Sequence, residues 1–278
     1  MNHPIARSFG RAAASYDAHS APQRHAARRL AELIAAEILP ESPRVLEIGC
    51  GTGHLTQLLA RRVPQGDFLY VTGAAGDGIP CGRGVAGAVP RDTATHNFLC
   101  SDIAPAMVAI CRARLPDLRY VVMDGERPAV GAGFDLVCAN LAAQWFHDLP
   151  AALARLAALL APGGLLAIST LGAESFREWR AVHAALGFSA GTPPFSDAAT
   201  LRAAFPAGAL TIDEEIYVDR AETALDLPRR LRAIGAATPA PGHRPLKAGQ
   251  LRRVLRALGP EPAFTYQLFY ACFRKTTA

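Results

Sequence analysis

The segment RVLEIGCGTGHLT, residues 44–56, constrains this chain more than any other stretch of its sequence. An apolar run ends in the acidic Glu47, then glycines follow at positions 49, 51 and 53, and a helix is predicted to begin directly after them. Glycines let the backbone turn tightly and let a ligand approach within contact distance, which a Cβ atom would block. The pattern therefore predicts a nucleotide-binding turn between a buried strand and a helix.

The spacing of Gly49, Gly51 and Gly53 distinguishes between possible ligands. A dinucleotide-binding turn has the pattern G-x-G-x-x-G, whereas this chain has His54 at the sixth position. The pattern E-x-G-x-G-x-G, with Glu47 at the end of the strand, resembles motif I of the class I S-adenosylmethionine (SAM) methyltransferases. A dinucleotide enzyme and a purely structural glycine turn are the alternatives.

Length and composition limit the class of protein. The 278 residues, half of them hydrophobic, suffice for one α/β domain with an appended cap or for two small domains. The formal charge of +5 comes almost wholly from arginine, since Lys247 and Lys275 are the only lysines. The arginines are scattered and form no basic run with interleaved aromatic residues, so we expect no nucleic-acid partner. The excess of basic over acidic residues reflects either a GC-rich genome or an acidic partner.

Cysteine spacing and hydropathy indicate the compartment. The six cysteines form no C-x-x-C pair and have no histidine at metal-ligand spacing, so we expect free thiols in the cytoplasm and no metal site. The N-terminus lacks the apolar core of a secretory signal, and the longest apolar stretch, 156–171, is interrupted by Pro162-Gly163-Gly164. The sequence therefore predicts no membrane segment.

Short apolar runs alternate with helical periodicity from residue 44 onward, which is typical of an α/β doubly wound sheet. We divide the chain into an N-terminal helical arm (1–40), a SAM-binding Rossmann-like core (41–172), and a helical lid with C-terminal edge strands (173–278). The last two strands are expected near 209–219 and 264–274, as an antiparallel edge hairpin. The helices between those strands would form the lid.

Two further segments carry specific expectations. In the arm, the spacing of apolar residues puts Ile38 on the buried face of a helix, and Ser20 with Gln23 is predicted to form a capping box. Residues 72–96 are rich in Gly, Ala and Pro and have no periodicity. We interpret them as an inserted loop of the core, with a substrate-gating loop as the alternative.

The predicted cofactor site requires an acidic residue at the tip of the second strand, where it accepts hydrogen bonds from both ribose hydroxyls. Asp102 is the candidate, because it ends an apolar run and Pro105 follows in the first turn of a helix. Asp67 and Asp77 are weaker alternatives, since one begins its apolar run and the other lies among glycines. The adjacent Ile103 is assigned to the same site.

The ends of the third and fourth strands complete the predicted cofactor site. The Asp124 carboxylate can accept from the adenine amino group and the Gly125 amide can donate to the ring, although an acidic residue in a plain turn is the alternative. Asn140 and Leu141 are expected beside the sulfonium.

The acceptor side of the predicted pocket rests on aromatic and amide side chains. Gln144 and Trp145 would lie at the pocket mouth, with a core position as the alternative for Trp145. Tyr16, with Asp17, would close over the methionine end of SAM. The alternative is that Tyr16 and Asp17 only form the end of a helix. The sequence shows no catalytic triad, metal cluster or carboxylate pair. Methyl transfer needs none, because the sulfonium is already activated and needs only an aligned nucleophile.

Several segments outside the glycine turn match one family. The chain resembles the malonyl-acyl carrier protein O-methyltransferases of biotin synthesis in the segments FGRAAASYDAHSAPQR, NLAAQW, TLGAESFREWRAVHAALG, LRAIGAA and FTYQLFYACF. NLAAQW, LRAIGAA and TYQLF are the specific parts, whereas motif I alone indicates only SAM. The resemblance covers nearly all of the chain except residues 72–96.

The resemblance implies SAM-dependent methyl esterification of the free carboxylate of a malonyl thioester on acyl carrier protein. Arg232 is a candidate for binding that carboxylate, since guanidinium binds carboxylate in a bidentate fashion, although a plain surface role is the alternative. The acidic carrier would meet a basic rim supplied by Arg7, Arg11, Arg24, Arg28, Arg229, Arg230 and Arg232. The alternative functions are methylation of another small acid, as in the trans-aconitate enzymes, and a SAM-fold assembly factor without activity. The sequence does not indicate an oligomeric state.

Overall fold

The computed structural model of the chain describes residues 4–61, 97–240 and 242–277. The predicted insertion at 72–96 and the alternative ribose ligands Asp67 and Asp77 therefore lie outside the described residues.

Ten helices and seven strands occur in the described part of the chain. The helices are α1 (Pro4–Ala12), α2 (Tyr16–His19), α3 (Ala21–Ala35), α4 (His54–Ala60), α5 (Pro105–Arg114), α6 (Leu149–Ala158), α7 (Arg177–Ala185), α8 (Ala198–Ala204), α9 (Asp226–Ala233) and α10 (Ala248–Leu258). The strands are β1 (Val45–Ile48), β2 (Phe98–Asp102), β3 (Arg119–Val122), β4 (Phe134–Asn140), β5 (Leu160–Leu171), β6 (Ala209–Arg220) and β7 (Ala263–Arg274). A short 3₁₀ helix follows β4 at Ala143–Trp145.

All seven strands form one sheet in the order β3-β2-β1-β4-β5-β7-β6. The first five strands are parallel, and β7 runs antiparallel to both β5 and β6. The order reverses next to β1, so the carboxyl ends of β1 and β4 border the crevice where open α/β sheets bind their ligands. The predicted α/β doubly wound sheet with an antiparallel C-terminal edge hairpin is confirmed.

The central strands are buried on both faces because helices cover the sheet from both sides. Leu46 and Ile48 of β1 pack into one apolar cluster, whereas Val45 of the same strand packs into the cluster on the other face. Such strands read as continuous apolar runs, which is how the sequence predicts them. The edge strand β6 differs, since Ile216 and Val218 are exposed and five of its twelve residues are charged.

Two expectations for the arm are wrong. Ile38 is 89% exposed, because α3 ends at Ala35 and the chain turns away before the next helical turn. The capping box at Ser20 is absent, because the Ser20 hydroxyl lies 2.9 Å from His54 Nε2 and accepts from Arg24 Nη1 instead of an N-terminal amide of α3. A long-range contact thus replaces the local one.

The segment between the two edge strands contains α9 and α10 and covers one end of the sheet. We call residues 221–262 the lid segment. Within the described residues, none of the helices has both the length and the apolar character needed to cross a membrane.

Candidate active site

The glycine turn after β1 has the backbone conformation that the sequence predicts. Gly49, Gly51 and Gly53 have φ angles of +69°, +54° and +96°, in the left-handed region that favours glycine. A Cβ atom at Gly49 would come within 2.8 Å of the Ala142 Cβ, so the turn packs directly against the end of β4. A Cβ atom at Gly51 would meet no atom within 4 Å, because this residue faces an open cavity.

We call this opening the strand-tip cavity, since it lies at the carboxyl ends of β1, β2, β3 and β4. Eight of the ten predicted cofactor residues line it, namely Gly49, Gly51, Asp102, Ile103, Asp124, Gly125, Asn140 and Leu141. These residues come from four separate loops, and parallel strands bring such loops to the same edge of the sheet. The structure thereby gathers most of the predicted set in one place.

Asp102 is a buried acidic residue in the wall of the strand-tip cavity. Its Oδ2 accepts a hydrogen bond from Gly51 N at 2.9 Å, and its Oδ1 accepts from Ala104 N at 2.8 Å. Burial raises the pKa of Asp102 to about 6, although these backbone hydrogen bonds oppose the rise. Each carboxylate oxygen keeps a free lone pair, so the group can still accept hydrogen bonds from a ligand in the cavity.

The tips of β3 and β4 are shaped by local hydrogen bonds as well as by the cavity. Asp124 Oδ1 accepts from Glu126 N at 2.9 Å, so Asp124 has the turn role of the alternative interpretation and also lines the cavity. A Cβ atom at Gly125 would lie 2.2 Å from the Ile48 side chain, which excludes larger residues there. Leu141 has a left-handed φ of +48°, and its amide donates to Ser169 Oγ at 3.0 Å.

Glu47 and Gly53 do not line the strand-tip cavity. Glu47 lies beneath the turn, 1% exposed, and its Oε2 has no hydrogen-bond partner among the described residues. Burial raises the pKa of Glu47 to about 8, so the side chain is mostly neutral at pH 7. At Gly53, a Cβ atom would come within 3.0 Å of Cys111 Sγ, so this glycine permits the packing of α4 against α5. Their predicted cofactor role stays a prediction.

A second cavity, which we call the lid cavity, lies between the strand tips and the lid segment. It is the larger, with about 220 Å³ against about 90 Å³ for the strand-tip cavity. All four predicted acceptor-side residues, Tyr16, Gln144, Trp145 and Arg232, line it. Its remaining wall is largely apolar and aromatic, so it suits an organic acceptor from which water is excluded.

The two cavities share a wall made by Phe9, Tyr16, Leu141 and Trp145. The Phe9 and Trp145 rings meet edge to face, with 5.6 Å between their centroids. Burial raises the pKa of Tyr16, so its phenol stays protonated at neutral pH. A group bound in one cavity can reach a group bound in the other only past these four residues.

Asp17 fastens the arm to the glycine turn. Thr52 Oγ1 donates to Asp17 Oδ1 at 2.6 Å, and Arg114 forms an ion pair with Asp17 Oδ2. Burial raises the pKa of Asp17, but the hydrogen bonds from Arg114 and Thr52 outweigh it, so the net shift is downward and the carboxylate is anionic. The neighbouring His54 Nε2 lies 3.4 Å from Asp17 Oδ1. These contacts keep Tyr16 over the cavities.

The polar residues expected around the lid cavity fall into two groups. Gln144 is satisfied internally, because its Nε2 donates to Leu141 O at 2.7 Å. Arg24 and Arg230 are also engaged, the first with Asp17 O and Ser20 Oγ, the second with Asp219 at 2.7 Å. The prediction that these two arginines belong to a partner-facing rim is therefore not supported by their contacts. Arg232 is exposed at the cavity wall, and its side chain has no hydrogen bond or ion pair among the described residues.

Sequence reasoning missed several wall residues. Ile5 and Phe9 of the arm, Gln23 of α3, and Phe176 and Tyr266 line the cavities. All but Ile5 lie in segments that match the family, but nothing in their spacing marks them as cavity residues. The helical periodicity of the arm shows which side of α1 is apolar, but not that this side covers the strand tips.

Comparisons with known proteins identify the class of this chain. A family model described as a methyltransferase domain matches residues 22–215. The YcgJ protein of Bacillus subtilis superposes with a TM-score of 0.58 at 13% identity, covering 90% of this chain and 99% of that one, which shows a shared fold. The class of protein that the fold and the joined cavities define is thus a methyltransferase.

Two relatives narrow the class. A malonyl-acyl-carrier protein O-methyltransferase from Magnetococcus marinus is 38% identical over 283 residues, which is 99% of this chain and 93% of the relative. The biotin biosynthesis bifunctional protein BioCD of Bordetella avium is 44% identical over 274 residues, 98% of this chain, and the chain spans about half (52%) of that protein's length. The chain belongs to the family of malonyl-acyl-carrier protein O-methyltransferases.

Proposed function

We propose that this chain transfers a methyl group from SAM to the free carboxylate of a malonyl thioester carried on acyl carrier protein, an early step of biotin synthesis. The observation that carries the proposal is the junction of the strand-tip cavity with the lid cavity at Tyr16, Leu141 and Trp145. The names of the relatives supply the acceptor.

The strand-tip cavity fits SAM. A side chain at Gly51 would project into this cavity, so the glycine leaves a cradle for a ligand beside the backbone. Asp102 would accept from the ribose hydroxyls, Asp124 and Gly125 would contact the adenine, and Asn140 would lie near the sulfonium. When bound, SAM supplies a methyl group on a positively charged sulfur, which makes the methyl carbon open to in-line attack.

The residues of the chain orient the acceptor and exclude water. A carboxylate is nucleophilic at neutral pH without a general base. The four described residues of the junction, Phe9, Tyr16, Leu141 and Trp145, would shape its path and not deprotonate it. Phe9, Tyr16 and Trp145 would close the junction against water, so that the attacking oxygen is desolvated only where the methyl group is transferred. Arg232, unpaired among the described residues and at the cavity wall, would attract the malonyl carboxylate into the lid cavity.

The charge of the lid segment fits an acidic carrier. Between residues 227 and 260 the sequence contains eight basic residues and no acidic residue, namely Arg229, Arg230, Arg232, Arg244, Lys247, Arg252, Arg253 and Arg256. Arg229 and Arg230 form ion pairs with Asp226 and Asp219, so the other six carry the argument. On α10, three of these arginines are exposed. Acyl carrier proteins are strongly acidic, so such a surface would attract them and orient the malonyl arm toward the lid cavity.

Mass spectrometry of malonyl-carrier protein, incubated with SAM and this enzyme, tests the proposal. We expect the malonyl group to gain one methyl group, and acetyl-carrier protein, which lacks the free carboxylate, to remain unchanged. Methylation of trans-aconitate but not of the malonyl thioester would favour the small-acid alternative. SAM binding without turnover on either acceptor would favour a non-catalytic protein.

Ionic strength separates the carrier protein from the small thioester. We expect turnover on malonyl-carrier protein to exceed turnover on malonyl-coenzyme A at low salt. The advantage should shrink as the Debye length falls from about 10 Å at 0.1 M to about 3 Å at 1 M. Equal activity on both thioesters, insensitive to salt, would contradict a carrier-protein acceptor.

A further inference from the structure

Gln23 brings an unpaired amide to the wall of the lid cavity. It lies in the first turn of α3, and its side chain lines this cavity. Its Oε1 is buried without a hydrogen-bond partner, and no bond from its Nε2 occurs among the described residues. Buried polar groups are almost always paired, since an unpaired one loses its water contacts without compensation. The buried orphan is the acceptor Oε1, while the donor Nε2 on the same cavity wall is left free for a ligand.

The position of Gln23 is built by a polar network at the strand tips. Asn140 Nδ2 donates to the backbone oxygen of Gln23 at 3.1 Å, and Asn140 Oδ1 accepts from Ser169 Oγ at 2.8 Å. Asn140 lines the strand-tip cavity, whereas Gln23 lines the lid cavity. The pair therefore spans the junction across which a methyl group would pass.

A second glutamine on the same cavity wall behaves in the opposite way. Gln144 Nε2 donates to Leu141 O at 2.7 Å, and Thr170 Oγ1 donates to Gln144 Oε1 at 3.5 Å. Both ends of that amide are occupied within the chain. Gln144 therefore has its Oε1 and one N–H group engaged, whereas Gln23 makes no side-chain hydrogen bond among the described residues and has both N–H groups for a ligand.

We propose that the Gln23 amide donates a hydrogen bond to the malonyl carboxylate and holds its attacking oxygen toward the strand-tip cavity. This inference rests on the proposed function. An amide is a neutral donor, so it orients the carboxylate without pairing its charge and leaves the oxygen nucleophilic. As the new bond from oxygen to the methyl carbon forms, the carbon–sulfur bond breaks and its electron pair stays on sulfur, while Gln23 keeps its proton. Gln23 would thus be an acceptor-binding residue.

Two substitutions test the role of the amide. Gln23→Leu removes the hydrogen-bonding group at similar size, and we expect kcat/KM for malonyl-carrier protein to fall about 10- to 100-fold, the loss that follows from one hydrogen bond to a charged group. Gln23→Glu places a negative charge against the carboxylate and should lose more. The affinity for SAM should stay within about twofold in both variants, because Gln23 does not line the strand-tip cavity.

Thermal stability distinguishes a ligand-binding amide from a structural one. Gln23→Leu removes an unpaired buried polar group, so its Tm should rise or stay unchanged while activity falls. Gln144→Leu is the matched control on the same wall, and its Tm should fall because Leu141 O loses its donor. A lower Tm or loss of folding in Gln23→Leu would overturn the inference, since the amide would then have a structural partner.

Binding supplies a readout that does not depend on turnover. With S-adenosylhomocysteine bound, the wild-type enzyme should bind malonyl-carrier protein more tightly than acetyl-carrier protein, and Gln23→Leu should reduce this preference about tenfold or more. A wild-type enzyme that methylates the malonyl thioester, together with an equally active Gln23→Leu variant of unchanged preference, would overturn this inference and leave the proposed function intact. Absence of methylation by the wild-type enzyme would instead overturn both.

Discussion

Replacing Asp102 with Asn tests the cofactor site most directly. Asp102 lies at the tip of β2 in the strand-tip cavity, and its two oxygens accept from Gly51 N and Ala104 N. The substitution removes the charge and turns one acceptor into an NH₂ group that faces a backbone N–H. A hydrogen bond to a charged group contributes about 1.5–3 kcal/mol, so the loss of even one ribose contact should weaken SAM binding at least about tenfold.

The pH dependence of SAM binding by the wild-type enzyme gives a second expectation, and the Asp102→Asn variant should lack this dependence. Burial raises the pKa of Asp102 to about 6, and the anion is the form that accepts two ribose hydroxyls. SAM affinity should therefore fall as the pH drops through about 6, and be about tenfold weaker at pH 5 than at pH 7. Stability has the opposite sign, because the folded chain holds this proton to a higher pH than the unfolded chain. The contribution of Asp102 to stability is thus lost as the pH rises from about 4 to about 6.

Isothermal titration calorimetry of SAM binding at pH 5, 6 and 7 measures both effects. Asp135→Asn is the matched control, since Asp135 Oδ2 also accepts from a backbone amide, that of Arg44 at 2.8 Å, at the opposite end of β4. That control should keep the wild-type affinity and pH profile. Unchanged affinity in Asp102→Asn, or a pH profile equal to that of the wild type, would show that the carboxylate of Asp102 does not contact the ribose.

Three further predictions concern groups around the site. The pKa of Glu47 is near 4.5 in the unfolded chain and about 8 in the folded chain. Relative to Glu47→Gln, the wild type should therefore lose about 1 kcal/mol of unfolding free energy per pH unit between pH 5.5 and 7.5. Urea unfolding at pH 5.5 and pH 7.5 measures this loss, and a difference between the two proteins that does not change with pH would contradict the prediction. Asp17→Asn should loosen the arm from the glycine turn and raise the dissociation rate of SAM severalfold in stopped-flow experiments, whereas an unchanged rate would show that the arm does not retain the cofactor. Arg232→Ala should raise KM for malonyl-carrier protein without lowering Tm, since Arg232 lies at the wall of the lid cavity. Arg230→Ala should instead lower Tm, because it leaves Asp219 unpaired. A higher KM in Arg230→Ala together with a lower Tm in Arg232→Ala would show that Arg230 binds the carboxylate.

Local pattern was sufficient for the elements that build the cofactor site. The glycine turn requires positive φ angles at Gly49, Gly51 and Gly53, a property that glycine alone supplies without strain and that the sequence shows directly. The acidic residue that ends the second apolar run, Asp102, is the last residue of β2, as the sequence predicts. Because parallel strands end at the same edge, residues predicted separately are gathered into one cavity without any knowledge of long-range contacts.

Contacts between distant segments decided the rest. Asn140 Nδ2 donates to the backbone oxygen of Gln23, 117 positions earlier in the sequence. The apolar periodicity of α3 does not predict that hydrogen bond. Arg230 and Arg232 lie on the same short helix, but Arg230 forms an ion pair with Asp219 whereas Arg232 lines the lid cavity.

Sequence pattern alone was thus enough for the alternation of strands and helices in the core, the glycine turn and most of the strand-tip residues, because backbone conformation and burial impose local patterns. Only the tertiary structure decided that Glu47 lies beneath the turn instead of in the cavity, and which polar side chains remain unpaired at the junction. The physical reason is that pairing of a side chain depends on which partner the fold brings within hydrogen-bond distance, and that partner is seldom close in sequence.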